Sequence, residues 1–220
     1  MQDIDSKLQI EIQLSMLAFG TGILDATSFP DYSVFASNQT GNTALLAVGA
    51  LRITDIVPLA SVAISLSLFL AGGLVFGQCA IYFGRRKRWW LIVSNLIQTL
   101  LVFVAAALRC FTQYQSVGPK AWPIIAILAF SSGGQVALAR TIDIPEITTA
   151  MVTSAYIDIL ADENILAPFN RSRNRRAIFI VCLLAGSFLG AVITKLSNAG
   201  LAFLLSAIVK MVATTLFIFP

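Results

Sequence analysis

The sequence predicts an all-α integral membrane protein of about six transmembrane helices, in an inverted three-plus-three repeat with interrupted or re-entrant segments. Three observations carry this expectation. First, 57% of the 220 residues are hydrophobic and 12% charged, with a mean hydropathy of +0.83, whereas soluble domains carry about 25% charged residues. Second, six apolar segments approach the length of about 20 residues that a spanning helix needs. Third, features of the first half recur in the same order in the second.

The first segment, Ile12–Leu24, extends past Asp25 toward Pro30. The second, Ile56–Phe83, has no charge in 28 residues and is long enough to tilt. Trp89–Leu108 is the third, with Trp89 and Trp90 placed like an interfacial anchor. Ala121–Ala139, Ala177–Thr194 and Leu196–Phe219 complete the set, the last broken only by Lys210, which is expected to snorkel to the interface. Asp31–Leu51 and Ile144–Ala161 mix polar and apolar residues and do not span. They read as re-entrant or interfacial pieces, because polar backbone lies at membrane depth only beside protein or a water-filled cavity.

With six spans and a cytoplasmic N-terminus, ten basic residues fall on the inner side, in Lys7, Arg85–Arg88, Arg140 and Arg171–Arg176. Four, Arg52, Arg109, Lys120 and Lys195, fall outside. The bias places both termini in the cytoplasm, in a plasma membrane. The N-terminus is acidic and polar rather than a basic stretch before a short apolar core, so the first segment is expected to be retained as a span.

A shift of 113 residues lays Gly73 and Gly77 on Gly186 and Gly190, Gly20 on Gly133, and Thr40-Gly41 on Thr153-Ser154. This defines one transmembrane domain, 1–220, with repeats over about 12–109 and 121–220. Three spans per half turn the halves opposite ways, a pattern of transporters whose sites lie near the midplane. Gly73, Gly77, Gly186 and Gly190 have the spacing that lets helices approach closely in lipid, and offer a face for helix packing or for a second copy.

The chain has no histidine, and its three cysteines, Cys79, Cys110 and Cys182, are far apart. No metal site, cofactor or nucleophile pair is implied, and the chain is not expected to be an enzyme. Its basic clusters read as loop charge rather than as a nucleic-acid surface. The expected partners are the lipid bilayer and a small polar or ionic solute.

The candidate site is Gly20–Thr43. Asp25 lies at or near the end of the first span. It reads either as a cation, proton or gating group facing a cavity, or as a helix-end acid at the headgroups. Phe35–Thr43 is the densest polar run. Ser37, Asn38, Thr40, Gly41 and Asn42 offer donors, acceptors and close backbone approach to a small solute, with Thr153 as a counterpart in the second half. The alternative is a turn that satisfies its own backbone. In the second half, Arg140 reads as an inner-leaflet basic residue or as a partner for Asp143 or Glu146. Asn38-Gln-Thr40 and Asn170-Arg-Ser172 spell glycosylation sequons that are not expected to be used.

Gly22, Asp25 and Ala26, followed by Phe35, Ser37, Thr40, Gly41 and Asn42, resemble the motif of the YoaK-like family, six-span membrane proteins in a domain of unknown function found in bacteria and fungi. The resemblance covers essentially the whole chain. It departs at Thr153-Ser154, where the family often has Thr-Gly. It implies an integral membrane protein and no established activity. The expected function is a secondary transporter or permease-like protein for a small polar solute, with a non-transporting scaffold or accessory subunit as the alternative.

Overall fold

Long apolar runs must satisfy their own backbone in lipid, and a helix does this within one segment. The structure, a computed structural model, describes residues 7–54, 56–112, 115–142 and 144–216. Those residues form eight helices and no strand: α1 (Lys7–Tyr32), α2 (Gln39–Ala50), α3 (Leu59–Phe83), α4 (Arg88–Phe111), α5 (Trp122–Thr141), α6 (Val152–Leu160), α7 (Arg171–Leu196) and α8 (Ala199–Leu216). The helices α3, α4, α5, α7 and α8 are long and apolar enough to cross a membrane. Helix α1, with 26 residues, is long enough but is not one of these five. It carries Gln13, Ser15, Thr21, Thr27, Ser28 and Asp31, all buried in the bundle. The expectation of six spans therefore rests on α1.

Helix α1 packs on α7 and α8, α3 on α5, and α4 on α5 and α8. The short helices α2 and α6 lie against α3 and α7 respectively. This leaves α3 and α7 as the outer helices: 28% and 17% of their span residues are buried, against 61% for α5. Their outward faces carry exposed Leu70, Leu74, Val181 and Phe188, the surface expected of lipid-facing helices. Helix directions follow from the contacts. Helices α1 and α7 run parallel, touching at Glu11–Arg175 and Thr27–Thr194. Helices α1 and α8 run antiparallel, touching at Gln9–Leu216 and Gly20–Ser206.

Two helix pairs approach at glycine. A methyl group at Gly133 would overlap the Phe69 carbonyl oxygen, and one at Gly72 the Phe130 carbonyl oxygen, across α3 and α5. The α1–α7 contact is built the same way, Gly186 against the Phe19 carbonyl and Gly22 against that of Leu183. Gly190 is also tight, against Ile23. Gly73 and Gly77 are looser: a Cβ there would lie 3.7 Å from the Gly133 carbonyl oxygen and 3.8 Å from the Ala137 Cβ, ordinary contacts. In α3 the closest approach is thus one residue earlier than the Gly73/Gly77 pair. These contacts match Gly22 with Gly133 and Gly72 with Gly186, so the 113-residue shift is 111 for α1 and α5 and 114 for α3 and α7.

The bundle ends are tied by charge. At one end, Glu11 accepts from Arg171 (2.7 Å) and Arg175 (2.6 Å), and Arg175 also reaches Glu146 (3.5 Å). Arg176 lies 3.4 Å from Asp158. This joins the start of α1, the segment before α6, α6 itself and the start of α7. At the other end Arg109 of α4 donates to Asp31 of α1 at 2.7 Å. Trp90 departs from the anchoring role expected of it. It is buried between the rings of Phe76 and Phe83, because α4 turns this side chain toward the core, while Trp89 is only partly buried against Phe83.

Candidate functional site

Between α1 and α2 the chain must reverse with little regular backbone to satisfy it, and polar side chains take that role. Ser37 donates its N–H to Asp25 Oδ1 (2.7 Å) and its hydroxyl to Oδ2 (2.5 Å). The Ala36 N–H donates to Ser28 Oγ (3.1 Å). Fully buried Asn42 acts like an extra peptide group. Its Oδ1 accepts from the Phe35 N–H (2.9 Å), and its Nδ2 donates to the Phe35 carbonyl (2.8 Å), with Gln39 Oε1 and Ser65 Oγ also in reach. Ser65 of α3 donates to the same Phe35 carbonyl (2.8 Å). Phe35 stacks on Phe29 with ring centroids 4.5 Å apart, and Gly41 leaves room for that ring. Ser33 adopts φ 56°, a left-handed conformation uncommon for a residue with a side chain.

The predicted residues Asp25, Ser37, Gly41 and Asn42 therefore come together, and their polar groups mostly serve one another. Asn38 caps α2, its Oδ1 accepting from the Gly41 N–H (3.2 Å). Thr40 is exposed on the first turn of α2. Thr153 is exposed on α6, which packs on α7 rather than on α2 or α3, and does not join the cluster.

The second reversal uses different chemistry. Thr148 Oγ1 accepts from the Met151 N–H (3.1 Å) and donates to the Met151 carbonyl (2.8 Å). Thr149 is buried with φ 64° and an unpartnered hydroxyl. Glu146 pairs with Arg175 and Ser172 rather than with Arg140, which is exposed; Asp143 lies outside the described residues. Asn170 of the second sequon caps α7, its Oδ1 accepting from the Arg173 N–H (2.9 Å). Both sequon asparagines are thus helix caps. Asp162, in the loop before α7, accepts from Asn170 (2.9 Å) and from the Asn164 N–H (2.8 Å), and these bonds hold its carboxyl below the usual range.

The interior holds a second polar group that the sequence reading did not assemble. Lys210 was expected to snorkel, yet its side chain is 1% exposed and points into the bundle. Helix α8 turns it onto α1 and α5, where polar partners replace the interface. Its Nζ donates to Gln135 Oε1 (2.8 Å) and lies 3.4 Å from Ser131 Oγ. Gln135 Nε2 donates to Thr21 Oγ1 (2.8 Å), linking α5 to α1. Ser131 donates to the Gln98 carbonyl of α4 (3.1 Å), and Ser206 to the Gly20 carbonyl (2.9 Å).

All four inner helices thus meet at this centre. The side-chain amides of Gln98 and of Gln13 are fully buried without a hydrogen-bond partner. The signal lay in the spacing of polar residues four apart: Ser94/Gln98, Ser131/Gln135 and Ser206/Lys210/Thr214 each lie on one helical face. Burying a lone ammonium at a span centre costs about 3 kcal/mol on insertion scales, and an unpaired buried amide about 1–3 kcal/mol. Such groups mark functional sites by default.

Among the described residues no group of three His, Cys, Asp or Glu side chains is placed to hold a metal. An apolar groove of about 490 Å³, lined by Ile12, Met16, Phe19, Ile178, Cys182 and Val209 among others, opens between α1, α7 and α8, on the surface of the bundle rather than at its polar centre. No curated protein and no solved structure matches the chain. One family matches over residues 13–216, and the chain belongs to it: the family described as protein of unknown function (DUF1275).

Proposed function

We propose that the chain is an alternating-access carrier of a small polar solute, built from inverted halves α1–α4 and α5–α8 around the buried polar centre. In this reading α1 is the sixth span, polar because it is enclosed. The arginine-rich end carrying Arg85–Arg88 and Arg171–Arg176 faces the cytoplasm with both termini, in the plasma membrane.

The observation that carries the proposal is the convergence of Thr21, Gln98, Ser131, Gln135 and Lys210 from four helices and both halves on one water-excluded point. The helix pairing supports the repeat. Exchanging α1–α4 for α5–α8 turns α1–α7 into α5–α3, α1–α8 into α5–α4 and α2–α3 into α6–α7, all of which are packed pairs. The same exchange lays Ser94 and Gln98 on Ser206 and Lys210. Rocking of one half against the other would expose this centre to each side in turn. The Asp25–Ser37–Asn42 cluster then acts as a strap that fixes α2 to α1 and α3, and the exposed Thr40 and Thr153 stand at opposite ends of the path.

Uptake of radiolabelled acetate, glycine and acetamide into proteoliposomes tests the proposal. Saturable, protein-dependent entry of at least one, reduced at least tenfold by Gln135→Ala, is expected. Entry of none above protein-free liposomes, with a single stable partner captured by native crosslinking, would instead favour the accessory-subunit reading.

A further inference from the structure

We infer that the polar centre binds a small monoanion, with Lys210 as its counter-charge and the Gln98 amide as a neighbouring donor. This rests on the carrier reading and names its substrate class. The argument is one of charge and hydrogen-bond supply. A lysine ammonium has three donors and no acceptor. Lys210 has two partners, Gln135 Oε1 and Ser131 Oγ, both neutral.

Every charged group on the helices packed around Lys210 is used or placed elsewhere. On α1, Glu11 pairs with Arg171 and Arg175, Asp25 accepts from Ser37, and Asp31 pairs with Arg109. On α4 and α5, Arg88, Arg109 and Arg140 lie in the first or last turns. On α7, Arg175 and Arg176 are engaged with Glu11, Glu146 and Asp158, and Lys195 lies in the last turn. Lys210 is the only charged residue of α8. The centre therefore has one cationic group and no carboxylate partner for it.

The second observation is independent of the lysine. Gln98 is fully buried and both polar atoms of its side chain are unpartnered. Its main-chain carbonyl accepts from the same Ser131 hydroxyl that lies beside Lys210 Nζ, so Gln98 is one residue removed from the ammonium. Ammonium, amide N–H and hydroxyl together form a set that stabilises negative charge through charge-assisted hydrogen bonds. A cationic solute would meet Lys210 as a like charge. A neutral one would leave that charge unpaired. A carboxylate and an inorganic monoanion share the required chemistry.

Thermal unfolding of the purified full chain in detergent separates these cases. Sodium acetate, sodium nitrate and acetamide are titrated, with ionic strength held by the bulky HEPES anion. Acetate should raise the midpoint saturably, by about 4 °C at ten times its dissociation constant. Acetamide, its neutral analogue, should have no effect. Lys210→Met should abolish the response, and Gln98→Ala should weaken it at least fivefold. If Lys210→Met does not fold, Lys210→Gln, which keeps a donor for Gln135, replaces it.

A response to acetate alone assigns a carboxylate solute, and an equal response to nitrate assigns a site selective for charge only. Three results overturn the inference: no saturable anion response, an acetamide response as large as that of acetate, or an anion response unchanged by loss of the lysine. Anion binding with no flux in proteoliposomes would defeat the carrier reading and leave the site. Flux of acetamide alone would do the reverse.

Discussion

Replacing Gly133 with alanine should separate α3 from α5, whereas the same change at Gly73 should be tolerated. At Gly133 the added methyl lands on the Phe69 carbonyl oxygen, a backbone atom that cannot rotate away. Restoring ordinary contact requires the helices to part by about 1 Å, and a gap of that size forfeits roughly a quarter to a half of each contact's dispersion energy. The neighbouring Gly72–Phe130 contact opens with it. Overpacking of this kind costs about 1–3 kcal/mol, and two coupled contacts place the effect near the top of that range. For a chain of this length about 3 kcal/mol lowers the midpoint by about 6–12 °C.

At Gly73 the new Cβ lies 3.7 Å from the Gly133 carbonyl oxygen. The change there should fall within about 1 kcal/mol, with alanine's helix propensity in its favour. Thermal unfolding in detergent, followed by tryptophan fluorescence, reads both variants. Trp90 is a suitable reporter because it packs on Phe76, whose ring fills the space beside Gly134. Equal midpoints for the two variants, or a larger loss at Gly73, would refute the register of this interface.

Asn42→Ala should cost about 2–3 kcal/mol, because it leaves the Phe35 N–H without its acceptor in a buried turn; Thr40→Ala, on the exposed face, should stay within about 0.5 kcal/mol, and midpoints in detergent compare them. Asn170→Ala should cost about 1 kcal/mol by uncapping α7, seen as faster amide exchange at Arg173. Asp162, whose carboxyl is held low by Asn170 and the Asn164 N–H, should order this loop fully above the ordinary aspartate range of about 4. That contribution is lost as pH falls through the lowered value, and Asp162→Asn should remove the pH step in exchange at residues 164 and 170.

How much of this was legible follows from where the signal was local. Apolar runs announced α3, α4, α5, α7 and α8, because lipid demands continuous hydrophobicity where a helix is exposed to it. The same reasoning weakens at α1, which is shielded by its neighbours and can carry Gln13, Thr21 and Asp25. The density of polar residues at Phe35–Thr43 marked the strap, but whether Asn42 faced a solute or its own backbone depended on a turn only the fold defines. Gly186 and Gly190 lie at tight contacts, whereas in α3 Gly72 rather than Gly73 meets the facing carbonyl, a difference of helix rotation that spacing alone does not fix. Lys210 was misplaced because its partners, Ser131 and Gln135, lie more than 70 residues away in sequence.

The central claim, that the polar centre opens to both sides of the membrane, is tested most directly by thiol access. In a variant with Cys79, Cys110 and Cys182 replaced by alanine, Ser131→Cys places one thiol beside Lys210. A membrane-impermeant maleimide is then applied to right-side-out and to inverted vesicles. Alternating access predicts labelling from both faces, slowed by acetate where the anion occupies the site. Labelling from neither face until the protein is unfolded, or from one face alone, would contradict the account.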